Sequence, residues 1–334
     1  MNNKMISLFA GVGGIDLGFE KAGFKTVYAN EFDKKARETY RLNFPDVNID
    51  SRDIREVEED EVPHNVSVVT GGFPCQSFSI AGYRKGLEDE QNGDLFFETL
   101  RIAKAVNAEI IFLENVKNLV GHDQGKTFRI ILEALETNGY HTDYKVLNAT
   151  EFGNVTQNRE RIYIVAFKNK AYLEKFEFPK PIELTKSIRD FIDFENEKDP
   201  IFYYTENKFK QFDQLEEKMD DSNAIYQWRR KYVRKNMSGV CPTLTANMGT
   251  GGHNVPLILT DTKEYRKLTP RETFNLQGFP KEFKLPEQAN SHLYKQAGNS
   301  VVVPVIERIA KEIISVINSD IENSVVNEKV KSIK

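Results

Sequence analysis

Between Met5 and Phe167 the chain alternates short β-branched or aromatic runs with longer stretches of helical period, and that alternation is its strongest constraint on fold. Short strands separated by crossover-length helices predict an α/β domain built on a mixed, mainly parallel sheet. Expected strands are Met5 to Phe9, Lys25 to Ala29, Val66 to Thr70, Glu109 to Leu113, His141 to Leu147 and Arg161 to Phe167. Expected helices are Ile15 to Ala22, Lys34 to Asn43, Asp94 to Ala105 and Lys126 to Thr137, the last stopped by Asn138-Gly139. Beyond Phe167 the pattern fails: 176–184 is interrupted by proline, and 241–256 is rich in Gly, Thr and Asn. A linker and a smaller, loop-rich second domain are expected there. They are followed by a helix opened by Pro270, a long apolar helix over Val301 to Ile317, and a polar tail that frays from Asp320.

A chain of 334 residues that is 40% hydrophobic can bury a substantial core. No apolar run approaches the roughly 20 residues of a membrane helix, and the N-terminus lacks a signal-peptide pattern, so the cytoplasm is expected. Cys75 and Cys241, the only cysteines, lie far apart without paired histidines; this pattern supports neither a disulfide framework nor a zinc site, and no metal is expected. The net charge of -4 is unevenly spread. Residues 223–260 contain no acid and carry Arg229, Arg230, Lys231, Arg234 and Lys235, which taken alone form either a solvated helix face or a surface for an anionic partner.

The turn Phe9-Ala10-Gly11-Val12-Gly13-Gly14 follows the first strand and opens the first helix, as in a nucleotide-binding loop. Asp16 stands where a dinucleotide fingerprint needs its third glycine, which disfavours NAD. Glu31, ending the second strand, can take the two hydroxyls of a ribose, and Asp53 and Ile54 can meet an adenine edge and face. The set favours an adenosyl ligand without a pyrophosphate. In "GGFPCQSFS" (71–79), Pro74 and two glycines shape a turn at a strand's carboxyl end, so Cys75 is either a nucleophile facing the ligand crevice or a small buried apolar residue. Glu114 ends the next strand, as a proton donor or as a backbone cap. Arg159 and Arg161, two apart at the entry to a strand, are expected on one face, where they clamp a phosphate or orient a pyrimidine unless they are merely solvated.

The blocks "SLFAGVGGIDLGF", "NEFD", "GGFPCQSFS", "ENVKN", "QNRERIYIVAF", "RKLTPRETFNLQGFP" and "QAGNSVVVPV" occur in an order and spacing that resemble the cytosine carbon-5 DNA methyltransferases of bacterial restriction-modification systems. The resemblance implies a Rossmann-like, S-adenosylmethionine-dependent catalytic domain over 1–186 and 297–334, and a target-recognition domain with its hinge over 187–296. It places the cofactor, released as S-adenosylhomocysteine, against Phe9, Gly11, Gly13, Glu31, Phe32, Asp53, Ile54, Leu95, Asn299 and Val301. Phe32 stands where relatives often carry tryptophan. Cys75, Glu114, Arg159 and Arg161 take the catalytic positions, with Cys75 adding to carbon 6 of a flipped-out cytosine and the loop 77–93 as a lid. Gln76, Ser79, Arg229, Arg230, Arg234, Thr243, Thr245 and Asn247 are the expected contacts to duplex DNA, with Tyr226, Trp228 and Tyr232 interleaved on that face. A monomer is implied, alongside a cognate endonuclease that it does not touch. The same chemistry on a transfer RNA and a non-catalytic DNA-binding scaffold are the alternatives.

Overall fold

Strands such as Ile110-Ile111-Phe112-Leu113 are apolar on both faces, a composition that suits a sheet covered by helices on each side. The computed structural model describes residues 2–73, 95–229, 232–251 and 254–331, with side chains through 319. The chain divides into two units.

The first unit comprises Met1–Leu147, Glu160–Lys180 and Val305–Lys334. Its seven-stranded sheet has the order β3-β2-β1-β4-β5-β8-β6. Strands β1 (Lys4–Leu8), β2 (Lys25–Asn30), β3 (Asn48–Asp50), β4 (Val68–Gly71) and β5 (Ile110–Val116) pair in parallel. β8 (Glu160–Phe167) runs antiparallel on β5, and β6 (His141–Asn148) lies outermost. Strand order reverses at β1, with β2 on one side and β4 on the other, so their carboxyl ends flank a switch-point crevice where ligands of such sheets bind. The helix Lys34–Asn43 has the expected bounds because Asp33 accepts from the amides of Lys35 and Ala36 at its start and Pro45 follows its end. The last helix, Val303–Lys331, returns to this unit from Val305 onward. It continues through the segment expected to fray from Asp320.

The second unit comprises Asn148–Arg159 and Pro181–Pro304, so it takes in 148–159, 181–186 and 297–304, all within the expected bounds of the catalytic domain. It is less loop-like than expected. β9 (Tyr226–Arg229), β10 (Tyr232–Lys235), β12 (Leu257–Leu259) and β13 (Tyr265–Lys267) form an antiparallel sheet in the order β10-β9-β12-β13. It buries Tyr226, Val233, Leu257 and Leu259 against Phe209 and Leu215. A separate parallel pair joins β7 (Gln157–Asn158) to β11 (Cys241–Pro242).

Helix Pro270–Leu276 is opened by Thr269, whose hydroxyl accepts from the Glu272 amide while Glu272 accepts from the Thr269 amide at 2.7 Å. Glu272 also forms a two-pronged pair, at 2.7 and 2.9 Å, with the fully buried Arg266. A further helix, Asn290–Asn299, has too polar a sequence to be read from period. Its Gly298 is required by close approach: a Cβ there would stand 2.2 Å from the Thr245 carbonyl carbon.

Candidate active site

The glycine turn leaves β1 through Phe9 (φ 54°), Gly11 (φ 58°) and Gly13 (φ 87°). A Cβ on Gly11 would meet nothing within 4 Å, so the turn presents open backbone to the crevice. The Gly11 amide donates to Glu31 Oε2 at 2.7 Å and the Asp33 amide to Glu31 Oε1 at 2.6 Å. Burial pushes the Glu31 carboxyl up, and those two amides oppose the shift. Phe32, 70% exposed beside it, offers an aromatic face. Ile54 is buried, whereas the Asp53 carboxylate is held below its ordinary range by Arg55, whose Nε donates to it at 2.9 Å. Leu95 opens the helix Leu95–Ala105. An adenosyl group needs a close backbone approach, an acceptor for ribose hydroxyls and an apolar face, and these residues supply all three. Asn299 and Val301 belong to the second unit.

Asp16 is fully buried and accepts from the hydroxyls of Ser7 at 2.8 Å and Tyr40 at 2.7 Å, tying the helix Gly14–Lys21 to β1 and to the helix Lys34–Asn43. Burial pushes its carboxyl up to about 6.

At the neighbouring strand ends, Gly71 pairs with Leu113, which sets Gly72 beside Glu114. Glu114 is 9% exposed, and its Oε1 lies 3.2 Å from Arg161 Nε. Asn115 Nδ2 donates to the Phe73 carbonyl at 2.7 Å, so Phe73, two residues before Cys75 in sequence, is fixed to the strand that carries Glu114. Asn115 went unassigned in the sequence, although its place next to Glu114 at a strand end was the available signal. Cys75, Gln76, Ser79 and the loop 77–93 lie outside the described residues.

Arg159 and Arg161 do not share a strand face as expected. The strand breaks at Arg159, between β7 and β8, so alternation does not carry across it. Arg159 belongs to the second unit, is 2% exposed, and donates to the carbonyls of Leu244 (2.7 Å), Gly298 (3.1 Å) and Ser300 (2.5 Å). Arg161 stays in the first unit, beside Glu114.

In the second unit a groove of about 500 Å³ brings together Arg229, Arg234, Thr243, Thr245 and Asn247. The hairpin register places Trp228 opposite Val233, and Gln227 opposite Arg234. Tyr226 is buried on the core side, a correction to the expected aromatic interleaving, whereas Trp228 packs edge-on against Phe209 with ring centres 5.2 Å apart and also lines the groove beside Arg229. Tyr232 stays exposed. Lys235 also leaves the expected basic face, its ammonium 3.1 Å from both Asp220 and Asp221. Gln227, missed in the sequence, lies on the groove side, two residues before Arg229. Arg230 and Lys231 lie outside the described residues. Cys241 is buried, and desolvation pushes its thiol well above the ordinary range. Among the described residues no helix is long and apolar enough to cross a membrane.

A sheet whose order reverses beside this glycine turn, with Glu31 at the next strand end, defines a Rossmann-like methyltransferase that uses S-adenosylmethionine. Residues 3–315 match the C-5 cytosine-specific DNA methylases, and the chain belongs to that family. It is 61% identical over 311 residues to the type II methyltransferase M.Bsp6I of Bacillus sp. (strain RFL6), covering 93% of this chain and 98% of that protein. It is 36% identical over 326 residues to M.HhaI of Haemophilus parahaemolyticus, covering 94% and 95%. In fold it resembles a Spodoptera frugiperda DNMT2 variant, with TM-score 0.71 at 19% identity over 94% of this chain and 100% of that one. The protein is a DNA cytosine-5-methyltransferase of the type II restriction-modification class, which sets aside the scaffold alternative.

Proposed function

We propose that the chain methylates cytosine within a short duplex site by extruding the base and bonding it transiently to Cys75. The observation that carries this reading is the Glu114–Arg161 pair beside Gly72, three residues before Cys75 on the adjoining strand end. Carbon 5 of cytosine is a weak nucleophile. Addition of the Cys75 thiolate at carbon 6, with a proton from Glu114 to ring nitrogen 3, leaves an enamine whose carbon 5 is electron-rich. When bound, S-adenosylmethionine supplies an electrophilic methyl group on sulfur. Phe9, Gly11, Gly13, Glu31, Phe32, Asp53, Ile54, Leu95, Asn299 and Val301 are the residues that would hold it. Loss of the carbon-5 proton to a base, water or a side chain, with expulsion of the Cys75 sulfur, restores the ring double bond, and the nitrogen-3 proton returns to Glu114. Arg161 orients the Glu114 carboxyl throughout.

Extrusion costs a few kcal/mol of stacking and pairing, offset by protein contacts to the strand. Gln76, Ser79, Arg229, Arg230, Arg234, Thr243, Thr245 and Asn247 are assigned those contacts. The enzyme acts as a cytoplasmic monomer, protecting sites from a nuclease that it need not touch.

A duplex carrying 5-fluorocytosine tests the reading, because fluorine at carbon 5 cannot leave as a cation and the adduct is trapped. With cofactor, the wild type should give a protein–DNA adduct that survives denaturation, and Cys75→Ala none. An adduct of equal yield in Cys75→Ala would remove the nucleophile.

A further inference from the structure

Two arginines on the groove face of the β9–β10 hairpin share one acceptor. Arg234 Nη2 donates to Gln227 Oε1 at 2.7 Å, and Arg229 Nη2 donates to the same oxygen at 3.2 Å. The register explains the meeting: Arg234 stands opposite Gln227, and Arg229 is two residues along the same strand and therefore on the same face. A neutral amide holds both guanidinium groups. Elsewhere in this unit acids take the cations: Lys235 lies against Asp220 and Asp221, and Arg189 against Asp261 at 2.8 and 2.9 Å. Among the described residues lining the groove there is no Asp or Glu. The hairpin thus keeps two full positive charges aimed at a polar groove while limiting the rotation of both planar forks.

A phosphate is served by any nearby cation, including a loosely held lysine. A fork fixed in orientation, set in a groove and left with spare N–H groups, matches paired acceptors in one plane, and in duplex DNA those are O6 and N7 of guanine in the major groove. We propose that Arg229, Gln227 and Arg234 form a guanine-reading element of the recognition site, with Arg234 as its principal reader and Gln227 as the positioning residue that sets the fork. This rests on the reading of the second unit as the DNA-facing part of a methyltransferase.

The full-length enzyme with cofactor is given duplexes randomised around a cytosine, and the products are sequenced after bisulfite conversion. The wild type should require guanine at one or more positions. Arg234→Ala should lower the preference at one of them about 10- to 100-fold, the discrimination one bidentate contact provides. Gln227→Glu should erode the same position by neutralising the forks. Placing 7-deazaguanine there should slow the wild type and leave Arg234→Ala unaffected. If Arg234→Ala instead weakens methylation of all sequences alike and flattens the salt dependence, the contact is to phosphate and the proposal fails. If the wild type methylates no duplex at all, the methyltransferase reading itself fails. These side chains lie outside the buried core of the sheet, so a matching thermal melt for each variant separates loss of reading from loss of folding.

Discussion

Asn115 donates its side-chain amide to the Phe73 carbonyl at 2.7 Å, and both residues are buried. The strand end that carries Glu114 therefore anchors Phe73, two residues before Cys75 in sequence. Asn115→Ala should leave the Phe73 carbonyl without this donor, at a cost of about 1–3 kcal/mol in stability. Its sharper consequence is kinetic: kcat should fall at least tenfold, because Phe73 is no longer held against β5, while cofactor affinity stays within about twofold. Single-turnover methylation and cofactor titration check this, and unchanged kcat would make the bond purely structural.

The Glu114–Arg161 pair predicts a characteristic non-additivity. Glu114→Gln keeps the volume and removes the proton donor, so kcat should fall by about 10²–10⁴ with duplex affinity retained. Arg161→Ala should fall by less. If Arg161 acts by orienting Glu114, the double variant should be little worse than Glu114→Gln alone. Independent, multiplying losses would show that Arg161 acts on the substrate separately.

Much of this was legible because the first unit obeys local rules. β-branched runs such as Ile110-Ile111 gave the strands, and Asn138-Gly139 gave the end of the helix Lys126–Thr137. The second unit was harder, since its strands are two to four residues long and its basic run hid a two-residue alternation of Tyr226 and Trp228 with Gln227 and Arg229. Helix Asn290–Asn299 buries Leu293, Tyr294 and Ala297 within an otherwise polar segment, too thin a stripe to read. Arg159 and Arg161 were indistinguishable by type. Only partners at Leu244, Gly298 and Ser300, remote in sequence, give Arg159 a different task.

That task leads to a prediction opposite to that for a substrate clamp. Arg159 holds the carbonyl of Leu244, between Thr243 and Thr245 in the groove lining, and those of Gly298 and Ser300, on either side of Asn299. Arg159→Ala should strip three buried carbonyls of a donor and destabilise the protein by more than about 2 kcal/mol, the scale of one such loss. Arg159→Lys, which cannot span three acceptors, should recover only part of this. Thermal melts check the effect. A full-stability variant with reduced kcat would return Arg159 to the substrate.

Asp16 predicts how stability changes with pH. Its carboxyl, pushed by burial to about 6 from an ordinary 3.8, holds a proton in the folded state that the unfolded chain has already released. Between those values the folded state binds more protons, so this group's contribution is largest below about pH 4, declines as pH rises, and is lost above about pH 6, a swing of about 3 kcal/mol. The hydroxyls of Ser7 and Tyr40, which donate to the carboxylate, are why the shift is not larger. Asp16→Asn cannot ionise, and both hydroxyls can rotate to suit an amide. Urea melts across this window should therefore show a flatter pH dependence in Asp16→Asn than in the wild type, with the variant gaining relative stability above about pH 6. Other carboxylates titrate alike in both proteins, so the difference between the two curves isolates Asp16. Parallel curves would mean that its carboxyl is ionised throughout and that the two hydroxyls fully compensate its burial.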